Sequence, residues 1–180
     1  DELKCTAALL EIDGKAVVLC DVELLMVSKE LVDRLKDRLA ERYGVDPDLV
    51  TIASIHTHAA PVIRGANLEL YGADPDDPYP AQYRAFLEET VFQTMAACFE
   101  EDAQEASASC QTVSIEGFYG NRNGVGKPED KDVTILKFTG TNGKTLAAAV
   151  NISCHPTVLG ADNLLVSGDL LGYISRGVQK

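Results

Sequence analysis

Short apolar runs rich in β-forming residues alternate with longer segments of helical periodicity, and this alternation most constrains the fold. The runs Leu3 to Ile12 and Ala16 to Val22 are separated by Asp13-Gly14-Lys15. An Asp-Gly pair tolerates the positive φ angles of a tight turn, so these runs predict a β-hairpin. Val50 to Ile55 has the length and composition of a buried strand. Three further strand candidates are Ser107 to Ile115, Asp132 to Thr139 and Thr145 to Ser153.

Two segments carry the apolar spacing of amphipathic helices. The first follows the N-cap candidate Ser28 and ends at Gly44, and the second starts at Pro80 and ends before an acidic run at Glu100. Their apolar positions are Leu31, Val32, Leu35, Leu39 and Tyr43 in the first, and Phe86, Leu87, Val91, Met95, Cys98 and Phe99 in the second. A third helix is expected from Gly168 to Val178. We predict a single α/β domain, truncated at both ends, in which a mixed β-sheet is flanked by α-helices.

Composition limits the function classes. The 180 residues are 46% hydrophobic, which is enough for one domain with a core. A formal net charge of -12 argues against nucleic-acid binding, and no apolar stretch approaches the ~20 residues of a membrane span. The five cysteines, an odd number, favour reduced thiols and a cytoplasmic location. Because the chain starts at Asp1, a removed targeting segment and a secreted protein remain open.

All three histidines lie in two short motifs, each at the end of an apolar run. His56 and His58 follow the run that starts at Val50, and side chains two apart on a strand point to the same face. His155 follows the run Leu146 to Cys154, so we expect it at the same edge of the same sheet. Three imidazoles would leave a fourth position open, as catalytic zinc requires. Taken alone, the His56–His58 pair could be a hydrogen-bonded strand end, and His155-Pro156 could be a simple loop. The occurrence of both motifs in one chain favours a metal site.

The segment Gly140 to Thr145 resembles a phosphate-binding loop, but its context predicts a turn. The full pattern requires glycine where the chain has Phe138, and a phosphate loop must open a helix. Asn142-Gly143 instead lies between two strand candidates, which is a strong hairpin signal. We therefore predict a hairpin and no nucleotide site.

Several motifs together resemble one enzyme family. They are Ser54 to Pro61 (SIHTHAAP), Asn121-Arg122, His155-Pro156-Thr157, Ser167-Gly168-Asp169 and Gly172-Tyr173. Their order and spacing are similar to those of the neutral/alkaline non-lysosomal ceramidases. The resemblance covers essentially the whole chain and implies that residues 1–180 are part of a ceramidase-like catalytic domain.

The resemblance implies a zinc-dependent amidohydrolase that cleaves the N-acyl bond of ceramide. Carried over by position, His56 and His155 would bind zinc, His58 would bind or polarise the scissile amide, and Arg122 would stabilise negative charge. The family's two other zinc ligands, a Glu and a Tyr, lie downstream of Lys180. The remainder of the catalytic domain is therefore expected to complete the site, and the 180-residue chain alone is expected to be inactive.

Local departures from the family leave alternatives open. The chain has Ala59-Ala60 where the family typically has Ser-Gly, and Asn123 where it has Ser. Another N-acyl lipid is thus an alternative substrate, and a catalytically lapsed domain that binds metal, lipid or a partner is an alternative function. The segment Ala59 to Pro80, rich in Pro, Asp and Gly, is expected to be a functional or mobile loop, with Arg64 exposed on it.

Two acidic residues are candidates for supporting roles. Asp21 ends a strand and either orients a ligand histidine or serves as a cap or turn residue. Asp169 is expected to anchor the amino end of the last helix, where a contact to a metal ligand is also open.

Overall fold

The computed structural model describes residues 2–62 and 79–179. Most of the loop expected from Ala59 to Pro80, including Arg64, lies outside the described residues. The chain divides into two compact units, one formed by residues 1–102 and 156–180 and the other by residues 103–155. The strands are β1 (Cys5–Ile12), β2 (Lys15–Val22), β3 (Val50–Ser54), β4 (Ala106–Ser114), β5 (Asp132–Gly140) and β6 (Thr145–Ile152). The helices are α1 (Lys29–Tyr43), α2 (Tyr79–Glu100) and α3 (Asp169–Val178), with a 3-10 turn at Pro47–Leu49.

The first unit contains a mixed three-stranded sheet in the order β1-β2-β3. The antiparallel hairpin β1-β2 turns at Asp13 and Gly14, whose φ angles are 50° and 72°. Strand β3 then pairs parallel to β2, from Val18 opposite Val50 to Val22 opposite Ser54. The predicted hairpin and the predicted strand are both confirmed, and β2 forms the centre of the sheet. The expectation that β3 is buried is wrong, because only Val50 is buried while Thr51 and Ala53 are exposed.

Helix α1 begins and ends where local capping chemistry requires. The Ser28 hydroxyl oxygen accepts a hydrogen bond from the Leu31 amide at 3.2 Å. Gly44 adopts a left-handed conformation with φ 69°, and its N–H donates to the Ala40 carbonyl at 2.9 Å. Both predicted ends of the helix are confirmed.

The core of the first unit lies between its sheet and helices α1 and α2. The central contributors are Val18, Cys20 and Val22 of β2, Leu31, Leu35 and Leu39 of α1, and Val91, Phe92 and Met95 of α2. Helix α2 packs against β1 and against α1. The prediction that Phe86 belongs to the apolar face of α2 is wrong, because its side chain is 63% exposed. Among the described residues, no helix is long and apolar enough to cross a membrane.

The second unit is an antiparallel three-stranded sheet in the order β4-β5-β6. Strands β5 and β6 are joined by a turn at Asn142-Gly143, where Gly143 has φ 78° and the Gly140 N–H donates to the Lys144 carbonyl at 2.9 Å. The predicted hairpin is confirmed, and a phosphate loop that opens a helix is excluded at this position.

The α/β class and the mixed sheet flanked by helices are confirmed by the first unit. The expectation that the strand before His155 belongs to the same sheet as β3 is wrong, because β6 pairs with β5 in the second unit. Hydrophobic runs identify strands, but partner choice depends on long-range pairing that the runs do not encode.

Candidate metal site

His56 leaves the sheet directly after β3. The Ile55 and His56 amides extend the sheet contacts by donating to the carbonyls of Val22 and Leu24 at 3.1 and 2.9 Å. His56 then takes φ 67°, in the left-handed region that non-glycine residues rarely adopt. The strand alternation expected to orient His56 and His58 therefore does not apply, because β3 ends at Ser54.

The imidazole of His56 is oriented by a backbone carbonyl. Its Nδ1 lies 2.7 Å from the Leu25 carbonyl oxygen. A carbonyl oxygen can only accept a hydrogen bond, so Nδ1 of the neutral ring carries the proton and Nε2 carries the lone pair. Histidines that bind metals characteristically donate their other N–H to a carbonyl or carboxylate. His56 thus has the tautomer of an Nε2 metal ligand.

His58 lies beside His56, and the residue between them fixes both. The two ring centroids are 5.1 Å apart with the planes at 89°. Thr57 is fully buried, and its hydroxyl donates to the Ser167 carbonyl at 2.7 Å while accepting from the Ala59 amide at 3.2 Å. The Ser167 amide in turn donates to the Ala59 carbonyl at 2.9 Å. Thr57 therefore anchors the histidine segment while both flanking imidazoles remain exposed.

His155 is the last residue of the second unit and is bonded to Pro156, which is fully buried in the first. Each of His56, His58 and His155 offers a ring nitrogen, and these atoms all lie within 4.8 Å of one another. The three histidines singled out from the sequence are thus close enough together to hold a metal ion. Imidazole nitrogens suit zinc and other first-row transition metals.

Asp169 organises the segment that follows Pro156. It is 7% exposed, and its carboxylate accepts from the amides of Val158 and Leu159 at 3.3 and 3.0 Å. It also accepts from the Leu170 amide in the first turn of α3, as expected for an anchor of this helix. Its own backbone has φ 51°. The carboxylate thus ties the start of α3 to the backbone two and three residues beyond Pro156.

Glu23 is a buried acidic residue that the sequence reasoning missed. Its Oε2 accepts from the Lys4 amide at 3.2 Å and from the Arg176 guanidinium of α3 at 3.1 Å. Its Oε1 is buried and lacks a hydrogen-bond partner within the part of the chain that the structure describes. A charged residue inside the apolar stretch that continues β2 was the available signal, because such residues are rarely buried without a partner.

Glu23 also explains two glycines near the start of α3. A Cβ atom placed on Gly168 would lie 2.6 Å from Glu23 Oε2. One placed on Gly172 would lie 2.6 Å from Nη1 of Arg176, the partner of Glu23, and 3.1 Å from Glu23 Oε1. Any side chain at position 168 would therefore displace the carboxylate. The Gly172-Tyr173 motif has a packing reason in this structure, while Tyr173 itself is 77% exposed.

Asp21 lies on β2, paired across the sheet with Thr6 and Ala53. It is exposed at the surface, yet the surrounding protein removes enough water from its carboxyl group to raise the pKa to about 6. The negative charge of Glu23 raises this pKa further, and a hydrogen bond from the Val22 backbone opposes the rise. Its role in orienting a ligand histidine stays a prediction.

Arg122 is an exposed residue of the second unit, in the connection between β4 and β5. The neighbouring Asn121 shapes this connection, because its Nδ2 donates to the Pro128 carbonyl at 2.8 Å and its Oδ1 accepts from the Asn123 amide at 2.9 Å. The catalytic role of Arg122 stays a prediction.

Comparison with known proteins adds solved structures of similar fold. No protein-family model and no curated protein matches the chain. A ceramidase complexed with C2 matches with a TM-score of 0.78 and 20% identity over 95% of this chain. A neutral ceramidase from Pseudomonas aeruginosa matches with a TM-score of 0.69 and 20% identity over 91% of this chain. The chain spans 28% of the length of each, and it shares the fold of that part.

Proposed function

We propose that this chain carries part of the zinc site of an amide hydrolase that cleaves the N-acyl bond of ceramide or of a related N-acyl lipid. The observation that carries the proposal is the gathering of His56, His58 and His155, with His56 in the tautomer of a metal ligand. The shared fold with two ceramidases supports the reaction class, because amide cleavage is the chemistry their name denotes.

His56 and His155 are assigned as the zinc ligands. The Leu25 carbonyl holds the His56 ring through Nδ1, so that Nε2 would bind an ion with little further loss of side-chain freedom. His155 directly precedes the buried Pro156, and the Asp169 carboxylate restrains the backbone at Val158 and Leu159, just beyond that proline. Zinc bound there would supply Lewis-acid polarisation of the amide carbonyl and a lowered pKa for an attacking water.

His58 and Arg122 are assigned to the substrate. The His58 ring lies perpendicular to the His56 ring and is exposed, so it can donate a hydrogen bond to, or accept one from, an amide group bound beside the ion. Arg122 supplies a permanent positive charge that would stabilise the oxygen of an attacked amide carbonyl. A Glu and a Tyr from a longer form of the protein would complete the ligand set.

Zinc binding by the purified chain tests the metal assignment. We expect isothermal titration and elemental analysis to give about one zinc per chain. His56→Ala and His155→Ala should each abolish or greatly weaken this binding, whereas Cys154→Ser, next to His155, should leave it unchanged. Zinc binding that survives both histidine substitutions would contradict the proposal.

Hydrolysis tests the reaction. A longer form of the protein that contains the downstream ligands should release fatty acid from an N-acyl sphingoid amide, and Arg122→Ala should lower kcat by about 10²-fold or more, the usual size of a lost charge-stabilising group. Arg84→Ala, at an exposed position of α2, is the matched control. If the longer form binds one zinc per chain but hydrolyses no N-acyl lipid, the protein is instead a metal-binding domain that has lost catalytic activity.

A further inference from the structure

The thiols of Cys5 and Cys20 lie against each other in the β1-β2 hairpin, and the proposed hydrolase does not use them. Their Sγ atoms are 3.6 Å apart, and both are free thiols. The strand register places Cys5 opposite Val22 and Cys20 opposite Ala7. The two cysteines are thus diagonal neighbours on one face of the hairpin.

The two thiols have unequal surroundings. Cys5 is partly exposed, whereas Cys20 is 4% exposed in the core. A hydrogen bond from the Cys20 thiol lowers the pKa of Cys5 more than burial raises it, and Thr94 contributes to the lowering. The same hydrogen bond and burial raise the pKa of Cys20. Because the thiolate is the nucleophile, the accessible Cys5 is suited to react first and Cys20 is held ready behind it.

We propose that Cys5 and Cys20 form a peroxide-sensitive disulfide site. The Cys5 thiolate attacks a hydroperoxide, its sulfur bonds to one oxygen as the O–O bond breaks, and the leaving alkoxide or hydroxide takes up a proton. The Cys20 sulfur then attacks the sulfenic acid on Cys5, the S–O bond breaks, and water leaves with the Cys20 proton. In total two thiols are oxidised and one hydroperoxide is reduced, to an alcohol or water and a second water.

Local geometry favours this pairing over others. Cys5 is the first residue of β1, so its side chain can rotate towards Cys20 with only the end of the strand adjusting to the bond length of about 2.05 Å. Cys98 on α2 is a nearby third thiol, but its Sγ contacts the Thr94 carbonyl of its own helix at 3.7 Å. Cys110 is an exposed cysteine on β4, in the other unit, and serves as a matched control.

Peroxide oxidation of the 180-residue chain tests the inference. After treatment with equimolar hydrogen peroxide and quenching with an alkylating agent, mass spectrometry should show two fewer alkyl groups than on the untreated, alkylated chain. Peptide mapping should find a Cys5–Cys20 cross-link that dithiothreitol reverses. Cys5→Ser should slow the loss of the Cys20 thiol at least ~10-fold, whereas Cys110→Ser should form the cross-link at the unaltered rate.

Two results would overturn the inference. One is a cross-link from Cys5 to Cys98 in place of Cys20. The other is sulfinic acid on Cys5 while full alkylation of Cys20 in the quench shows that its thiol has not been oxidised. The unsubstituted chain gives the decisive result, so the test does not depend on a Cys20 variant that fails to fold. It is also independent of zinc binding and hydrolysis, because neither cysteine belongs to the histidine site.

Discussion

At the scale of single residues, the carbonyl of Leu25 determines which nitrogen of His56 can bind a metal. Nitrogen-15 NMR of the metal-free protein at pH 8 should show His56 as the Nδ1–H tautomer, because Nδ1 lies 2.7 Å from that carbonyl. Added zinc should then shift the Nε2 resonance far more than that of Nδ1. An Nε2–H tautomer in the metal-free protein would contradict the assignment of His56 as an Nε2 ligand.

Asp21 gives a prediction about pH. Its carboxyl group has a pKa of about 6 in the folded protein against 3.8 in the absence of the surrounding structure, so ionisation disfavours folding. The stabilising contribution of the protonated form is complete below pH 3.8 and is lost as the pH rises to about 6. Urea unfolding should therefore show that Asp21→Asn gains stability relative to the unsubstituted chain between these pH values. A difference that stays constant across this range would contradict the raised pKa.

Asp169 gives a prediction about metal affinity without being a proposed ligand. Asp169→Ala removes the acceptor for the amides of Val158 and Leu159, so the backbone after Pro156 is less restrained. Loss of a group that orients a ligand typically costs about 10- to 100-fold in metal affinity. Titration should show zinc binding weakened by this amount while circular dichroism still reports a folded chain. The exposed Asp162→Ala is the control, and unchanged zinc affinity in Asp169→Ala would refute the role.

At the scale of elements, the packing of α1 in the first unit depends on apolar burial more than on charge. Leu35 is fully buried, so Leu35→Ala should lower the free energy of unfolding by about 2–5 kcal/mol. Arg34 forms an exposed ion pair with Glu88 at 2.8 Å, and Arg34→Ala should cost less than about 1 kcal/mol. Chemical denaturation of both variants measures the difference, and equal losses would contradict this division.

The ends of elements were predictable because their chemistry is local. Ser28 and Gly44 set the ends of α1, and Asp13-Gly14 and Asn142-Gly143 set two turns, each through contacts within a few residues. The roles of Thr57 and Glu23 were not predictable. Their partners Ser167 and Arg176 lie more than a hundred residues away, and nothing in the neighbouring sequence specifies them.

At the scale of the whole molecule, burial is concentrated in one unit. The hydrophobic core cluster is formed entirely by residues of the first unit, whereas β4 is exposed along its whole length. Hydrogen exchange should therefore be slowest for the amides of β2, which is paired on both sides, and much faster for those of β4. Equal protection of the two strands would contradict this distribution of stability.

The sequence correctly predicted that the three histidines come together, but part of the reasoning behind that prediction was wrong. The three histidines do come together, although β3 and β6 belong to different sheets and His56 is outside the strand. Scarcity and position at the ends of apolar runs were therefore better guides than the assumed strand geometry. The roles of His58 and Arg122 rest on the resemblance and await the assays proposed above.

The packing of Glu23 against Gly168 and Gly172 links positions that are distant in the chain. In homologous sequences, a bulky acidic residue at position 23 should co-occur with glycine at both other positions. A smaller residue at 23 should permit alanine at 172, where the other close atom is the flexible end of Arg176, but not at 168, where the Cα of Gly172 lies 2.9 Å from the added Cβ. The same complementarity can be engineered. Gly172→Ala should lower the free energy of unfolding less in a Glu23→Ala background than in the unsubstituted chain. The carboxylate and Gly172 are therefore expected to change together during evolution.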